Sequence, residues 1–270
     1  IAAEAELRGP SCNYVQGELA GALALHAALN DLRERRADTA IVVTCDSLVY
    51  PSCWLMYESA GMLSRRRPEV TPAPFDVQRD GLVLGEGAGV LVLQRAADAR
   101  SRGTPILAEI DGVHFANAVR DTPRARIRAR REALAAAASH TDDARHFLVV
   151  RGLGTARDDA EEAESLKDPP GGLFVATALK GATGYLGAAT AVVELIFGLR
   201  MVQAGVVPAV AHLAEVDPTV QFPIAQAEIR LDSDVRQLRV LSGDWQGEAA
   251  CLVATTAIGR PSRPATARQE

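Results

Sequence analysis

The spacing of apolar residues alternates along this chain between the period of a helix and the period of a strand. Residues 19–35 are rich in Ala and Leu and predict a helix, and residues 37–44 form a β-branched stretch typical of a strand buried on both faces. Further strands are predicted at 83–94, 106–113, 147–150, 173–176, 237–242 and 249–255, and further helices at 132–139, 158–166 and 186–203. This alternation predicts an α/β protein.

Two α/β halves are expected to meet near residue 115. The first covers residues 1–115 and the second covers residues 116–258. Residues 259–270 contain Pro, Arg and Ala without periodicity, which predicts a disordered tail.

Composition narrows the possible functions. The chain has 270 residues, of which 48% are hydrophobic, so it can bury a sizeable core. No apolar run approaches the roughly 18 residues of a membrane span, and the first six residues are too acidic for a signal peptide, so a cytoplasmic location is predicted. The net charge of −5 argues against a nucleic-acid partner, although the run from Arg120 to Arg131 is a local exception.

The cysteines and histidines give no sign of a metal site or cofactor. The chain has four cysteines without Cys-x-x-Cys spacing, and its five histidines are scattered. Reduced and mostly buried thiols are therefore expected at Cys12, Cys45, Cys53 and Cys251.

Four motifs stand out along the chain. Gly9-Pro10-Ser11 precedes a helix that is followed by Ala37-Asp38, and Gly154-Thr155 precedes an acidic helix. The longest motif runs from Pro74-Phe75-Asp76 to the Gly-rich strand that ends at Leu93. The last runs from Lys180 to Leu195, with Gly205-Val206-Val207-Pro208 after it. In this order and spacing, the motifs resemble those of the β-ketoacyl synthases.

The resemblance implies a thiolase-like fold, with two related α/β halves in a layered αβαβα arrangement. Members of that family carry a β-α-β-α-β stretch ahead of the Gly-Pro-Ser motif, and this chain begins just before that motif. The N-terminal half is therefore expected to be truncated. Either the chain is a fragment, or another polypeptide supplies the missing part.

The chemistry of that family uses a cysteine thiolate at a helix N-terminus, which accepts an acyl group, and two histidines that assist decarboxylation. Counting along the motifs places Glu18 at the cysteine position, Leu153 at the first histidine and Tyr185 at the second. Of the motif residues, Lys180 remains. The resemblance therefore implies a scaffold without its catalytic groups.

A scaffold of this kind resembles the chain-length factor, the ketosynthase-like β subunit of type II polyketide synthases. Such subunits form a heterodimer with an active ketosynthase and build a polyketide or polyene on an acyl carrier protein, without a cofactor. Two alternatives stay open. The chain could be a decarboxylase or acyltransferase by itself, using Glu18 or a displaced cysteine, or it could be a vestigial scaffold. Glu18 could also be only a helix-start residue favoured by the helix dipole.

The sequence also predicts a gate, an interface and a docking surface. A turn that replaces the family's gating loop contains Trp245 and Gln246, which are expected at the acyl pocket. In the family, the strand that feeds the nucleophile helix pairs across the dimer axis, which predicts an interface at Asn13, Tyr14, Val15, Gln16 and Gly17. The arginine-rich run is either a solvated helix face or a docking surface for the carrier protein, formed by Arg124, Arg126, Arg128, Arg130 and Arg131.

Overall fold

The computed structural model of the protein describes Glu4 and residues 6–66, 74–139 and 145–256. The predicted tail at 259–270 lies outside the described residues. The first part of the chain starts with a 3-10 turn at Gly17–Leu19. It continues with α1 (Ala20–Arg33), β1 (Thr39–Ser47), α2 (Pro51–Ser59), β2 (Glu86–Gln94) and α3 (Ala96–Ser101). Strands β1 and β2 pair antiparallel in a two-stranded sheet.

The second part contains a five-stranded mixed sheet. Its elements are β3 (Ala108–Asn117), α4 (Pro123–Ala138), β4 (His146–Val150), α5 (Ala156–Ser165), β5 (Leu173–Ala178), α6 (Lys180–Thr183), α7 (Thr190–Ala204), β6 (Val206–Val207), β7 (Ile229–Arg230), β8 (Gln237–Gly243) and β9 (Glu248–Thr256). The strand order is β3-β9-β8-β4-β5, in which β4 runs parallel to both β5 and β8. Strands β6 and β7 form a separate short pair.

The elements stack as alternating layers around two apolar cores. Helices α1 and α7 lie between the two sheets, where Leu25 and Leu195 are fully buried together with Val42 of β1 and Val240 of β8. Helices α4 and α5 cover the other face of the five-stranded sheet, against residues such as Leu148. The predicted mixed α/β organisation is confirmed, and the site described below lies where the central helices begin.

The outward face of the two-stranded sheet is apolar. Ile41 pairs with Val92 and Val43 with Val90, and all four side chains are exposed. Within the described parts of the chain, no helix covers this face. The layers are therefore the two-stranded sheet, the helices α1 and α7, the five-stranded sheet, and the helices α4 and α5.

Two elements differ from the sequence prediction. Helix α4 begins at Pro123 rather than near residue 132, because Thr122 caps its first turn and Arg126 in that turn pairs with Glu161. Helix α2 was not predicted, because none of its residues is buried and its sequence has no helical alternation of apolar and polar positions. The meeting of the two halves near residue 115 stays a prediction; β3 covers that position and pairs along its length with β9 of the second sheet.

Contrary to the expectation that no apolar run approaches such a length, the segment Gly187–Ala204 is long and apolar enough to cross a membrane, but 61% of it is buried inside the protein. It contains α7, which separates the two sheets. Its apolar character is therefore that of a core helix.

Candidate functional site

A cavity of about 330 Å³ lies beside the start of α1. Residues that the sequence placed in separate motifs meet around it. Its lining includes eight of the residues singled out from the sequence: Val15, Gln16, Gly17, Glu18, Leu153, Tyr185, Trp245 and Gln246.

Glu18 lies in the 3-10 turn that leads into α1, and its side chain is buried. Gly17, just before it, has φ +51°, a left-handed conformation that glycine adopts without strain and that turns the chain into the helix. The Glu18 carboxylate accepts a hydrogen bond from Arg151 Nε at 3.0 Å and lies 3.4 Å from Lys180 Nζ. The cations of Arg151 and Lys180 therefore hold Glu18, which stands at the position of the family's cysteine.

Arg151 follows β4 directly and is also buried. Its guanidinium lies between Glu18 and Asp158, whose Oδ1 is 3.6 Å from Nη1. Burial alone would lower the pKa of Arg151, but the carboxylates of Glu18 and Asp158 outweigh burial and raise it. The arginine is therefore a permanent positive charge beneath the cavity.

Lys180 connects this pair to the central helix. Its Nζ donates hydrogen bonds to the carbonyl oxygen of Arg151 at 2.7 Å and to Glu194 Oε1 at 2.9 Å. Burial acts to lower the pKa of Lys180, but Glu18 and Glu194 raise it. Burial raises the pKa of Glu194 to about 7 although Lys180 opposes the shift. Lys180 thus has a defined structural role in this chain.

The two positions of the family histidines hold side chains of a different kind. Leu153 is buried and its side chain is aliphatic, while its backbone N–H donates to Asp159 Oδ1 at 2.8 Å. Burial raises the pKa of Tyr185 well above its ordinary value, so its hydroxyl stays protonated. The rings of Tyr185 and of Tyr57 in α2 pack edge to face, with their centroids 5.8 Å apart. Neither position can take up a proton as a histidine does.

Trp245 and Gln246 lie in the turn between β8 and β9, at the rim of the cavity. Asp244 Oδ1 accepts hydrogen bonds from the backbone N–H groups of Gln246, Gly247 and Glu248, which fixes the turn. The Trp245 ring lies 6.1 Å from that of Tyr57. The structure therefore places both predicted gate residues at the cavity.

The predicted interface segment, Asn13 to Gly17, is exposed apart from the partly buried Tyr14. Val15 is 86% exposed, and Gln16 donates to Glu248 Oε2 at 2.7 Å. The sequence predicted a strand here, but the segment is irregular because it pairs with no strand among the described residues. Its side chains are accessible to a partner.

Two of the predicted docking arginines need correction. Arg126 and Arg130 are each 4% exposed, because Arg126 is hydrogen-bonded to Glu161 and paired with Asp121, and Arg130 Nη1 lies 3.6 Å from Glu161. Neither is available to a carrier protein. Arg124, Arg128 and Arg131 are exposed, and the last two pair with Glu132 and Glu164.

The expectation that the cysteines are mostly buried is wrong. Cys251 is buried, which raises the pKa of its thiol to about 12, whereas Cys53 is half-buried. Cys12 and Cys45 are exposed, because Cys12 lies in the irregular N-terminal segment rather than on the expected strand and Cys45 lies on the outward face of β1. Within residues 6–66, 74–139 and 145–256, no group of three or more His, Cys, Asp or Glu side chains could hold a metal ion.

Sequence reasoning missed two residues that define the site, Arg151 and Glu194. Both carried a signal, because Arg151 directly follows the buried strand β4 and Glu194 is a lone acid in the apolar helix α7. A charge in such a position needs a partner of opposite sign. The partner of Arg151 lies 133 residues away along the chain.

The pKa of Glu194 gives a test of this network. Its value of about 7 exceeds the ordinary value of about 4.3, so the folded chain binds an extra proton between these pH values. The stability that this proton contributes is present below about pH 4.3 and is lost as the pH rises through about 7. We expect the free energy of unfolding of the wild type, minus that of Glu194→Gln, to fall between pH 5 and pH 8.

Urea unfolding at several pH values measures this difference. Glu132→Gln is the control, because it removes a carboxylate from the exposed surface of α4 rather than from the core. A difference that rises with pH would show that Glu194 is ionised and stabilised by Lys180.

Family models and known proteins match most of this chain. Family models described as "Beta-ketoacyl synthase, N-terminal domain" and "Beta-ketoacyl synthase, C-terminal domain" match residues 1–99 and 106–214. Nodulation protein E of Rhizobium leguminosarum bv. trifolii is 33% identical over 220 residues, which are 78% of this chain and 53% of that protein. The tetracenomycin polyketide synthase ketoacyl synthase alpha subunit of Streptomyces glaucescens is 30% identical over 269 residues, which are 94% of this chain and 62% of that protein. The chain thus spans between about half and two thirds of these curated relatives.

Solved structures give the same result. A type II PKS acyl-carrier protein in complex with its ketosynthase bound to the hexaketide contains a chain that matches with a TM-score of 0.84 and 25% identity. The match covers 95% of this chain and 65% of that one. A β-ketoacyl synthase from Burkholderia phymatum shares the fold with a TM-score of 0.78. These likenesses confirm the thiolase-like fold predicted from the sequence.

Proposed function

The chain belongs to the β-ketoacyl synthase family, and from this premise we propose that it is a non-catalytic, ketosynthase-like chain-length factor. In this proposal it forms a heterodimer with an active ketosynthase and shapes the pocket in which a polyketide or polyene grows on an acyl carrier protein. A cytoplasmic location and a role in antibiotic biosynthesis are parts of the same proposal.

The observation that carries this proposal is that Glu18 is buried and ion-paired. A nucleophile must be exposed to its acyl donor and activated by a neighbouring base. Glu18 is 1% exposed, and it is held by Arg151 and Lys180. Its carboxylate is committed to two ion pairs, and Leu153 and Tyr185 supply no base beside it.

The retained cavity supports a role in shaping a pocket rather than in catalysis. Its volume of about 330 Å³ falls at the lower end of the range of small-molecule sites. The lining brings aromatic side chains from α2 and from the turn after β8 next to the former nucleophile position. A partner subunit covering the exposed rim would enclose this space.

Docking of the carrier protein is proposed at the exposed arginines of α4. Arg124, Arg128 and Arg131 present positive charge, and acidic partners are steered by such patches. Arg126 and Arg130 stay outside this proposal because they are buried.

We expect the purified chain, incubated with malonyl-carrier protein, neither to become acylated nor to release CO₂. The reason is that Glu18, Leu153 and Tyr185 replace the thiol and both imidazoles of the family. Intact-mass spectrometry detects acylation, and CO₂ release measures decarboxylation. An active ketosynthase from the same family, assayed in parallel, serves as the positive control.

Glu18→Cys should also remain inactive, since a thiol without a base is weakly nucleophilic near neutral pH. Acylation of the wild-type chain that disappears in Cys12→Ala or Cys53→Ala would instead establish it as an enzyme in its own right. Failure to associate with any ketosynthase would favour the vestigial scaffold.

A further inference from the structure

Helix α2 exposes three consecutive large apolar side chains. Trp54, Leu55 and Met56 are 51%, 62% and 46% exposed. Tyr57, the next residue, is partly buried and packs edge to face on Tyr185, with the ring centroids 5.8 Å apart, which fixes the face of the helix that points inward. An exposed run of apolar residues lowers solubility, and in natural proteins it marks a surface that serves a function.

This apolar surface reaches from the helix to the cavity. Val49 and Tyr50, which directly precede α2, are exposed as well, and with the three exposed residues of the helix they form the α2 surface. Tyr57 of the same helix and Val15 line one cavity. The α2 surface therefore adjoins, across the mouth of the cavity, the exposed segment from Asn13 to Gly17.

The segment from Asn13 to Gly17 is too small to form a stable interface by itself. It is far shorter than the roughly 20–30 residues that each partner contributes to a standard interface. The α2 surface adds Tyr, Trp and Met side chains, which are enriched at the centres of interfaces. Glu58 is the single charged residue of α2, so covering the helix would desolvate little charge.

We propose that the α2 surface is a further hydrophobic part of the contact with the ketosynthase subunit, on the opposite side of the cavity mouth from Val15. This inference rests on the proposed function, since it names a surface that the partner subunit covers. The mouth of the cavity would then lie inside the contact. The matching surface of the ketosynthase should be apolar, with a lysine or arginine facing the exposed carboxylate of Glu58.

Leu55→Asp tests this surface. Leu55 is exposed in the free chain, so the variant should fold, which circular dichroism checks, but its complex would bury an unpaired charge. We expect its association with a co-expressed ketosynthase to weaken about a hundredfold or more, measured by mass photometry over a dilution series. Leu107→Asp is the matched control, because Leu107 is similarly exposed, at 55%, but directly precedes β3.

Oxidation footprinting tests the same surface in the wild type. Hydroxyl radicals convert exposed methionines to sulfoxides, which mass spectrometry of the peptides detects. Met56 is exposed, whereas Met62 is buried and serves as the internal control. In the heterodimer, oxidation of Met56 should be about tenfold slower than in the soluble lone chain and approach that of Met62.

The outcomes separate this inference from the proposed function. A heterodimer that forms equally well with Leu55→Asp, or in which Met56 oxidises as fast as in the lone chain, would overturn the inference and leave the proposed function standing. A lone chain that dimerises, and becomes a monomer in Leu55→Asp, would assign the α2 surface to a second copy of this chain and overturn the inference too. Absence of any wild-type heterodimer would overturn both.

Discussion

Replacing Arg151 with methionine is expected to lower the free energy of unfolding by about 3–5 kcal/mol, because it leaves a buried carboxylate without its main counter-charge. Arg151 and Glu18 are 3% and 1% exposed, so water cannot solvate the orphaned Glu18. Lys180 is a weak substitute, since it lies 3.4 Å from Glu18 and is bound more closely to Glu194 at 2.9 Å. Asp158 would also lose its neighbour at 3.6 Å.

Urea unfolding of three variants tests this expectation. The double variant Glu18→Leu with Arg151→Met should recover much of the lost stability, because replacing both partners of a buried pair by apolar groups is often neutral. Arg128→Met is the control, since Arg128 forms an exposed pair with Glu132 and should cost less than about 1 kcal/mol. A loss in Arg151→Met no larger than in the control would show that the buried pair is not what stabilises this region.

A single substitution at Glu18 would also disturb the buried ion pair. Placing a cysteine at position 18 would restore the nucleophile of the family but would leave Arg151 buried beside a neutral thiol. The arginine cannot lose its proton, so Asp158, whose Oδ1 lies 3.6 Å from Nη1, would be left as its counter-charge. We therefore expect Glu18→Cys to lower the free energy of unfolding as well as to leave the chain inactive.

The buried strands were the most predictable part of the fold. The strands at 147–150, 237–242 and 249–255 appear in the structure within a residue or two of the predicted bounds. These stretches are continuously apolar because both faces are covered, which leaves a clear signal in the sequence. Helix α2 gave no such signal, since none of its side chains is fully buried and their apolar positions follow no periodicity.

The first turns of α4 were missed for a different reason. A run of arginines is usually a solvated surface, and local sequence does not show that Arg126 and Arg130 reach Glu161. The same limit applies to the site. Motif spacing placed Glu18, Leu153 and Tyr185 around one cavity, but the contact between Glu18 and Arg151 depends on how the two parts of the chain pack.

Val15→Asp is expected to abolish association with the ketosynthase partner, weakening it by about a hundredfold or more, because an unpaired charge in a buried interface costs several kcal/mol. Val15 is 86% exposed, although it is an aliphatic residue at the rim of the cavity. Under the proposed function, the segment from Asn13 to Gly17 would lie at the centre of the dimer contact. A permanent complex of this kind should bury more than roughly 2,000 Å² in total.

Size-exclusion chromatography with light scattering, on co-expressed and on lone protein, measures this effect. Leu107→Asp is the matched control. Leu107 is also an exposed aliphatic residue, but its carbonyl contacts Gln203 near the end of α7, about 15–20 Å along the helix from the cavity side. The wild type and Leu107→Asp should elute as heterodimers, whereas Val15→Asp should separate into its subunits.

The same hypothesis predicts how the chain behaves when it is expressed without a ketosynthase. Its two-stranded sheet presents Ile41, Val43, Val90 and Val92 on a face that no helix of the described residues covers, and exposed apolar sheet surfaces promote aggregation. The wild type expressed without a ketosynthase should therefore aggregate more than the co-expressed protein. The hypothesis would be contradicted by a monodisperse monomer whose mass is the same with and without a ketosynthase, and in Val15→Asp. No interface would then depend on this segment, and the vestigial scaffold would become the better account.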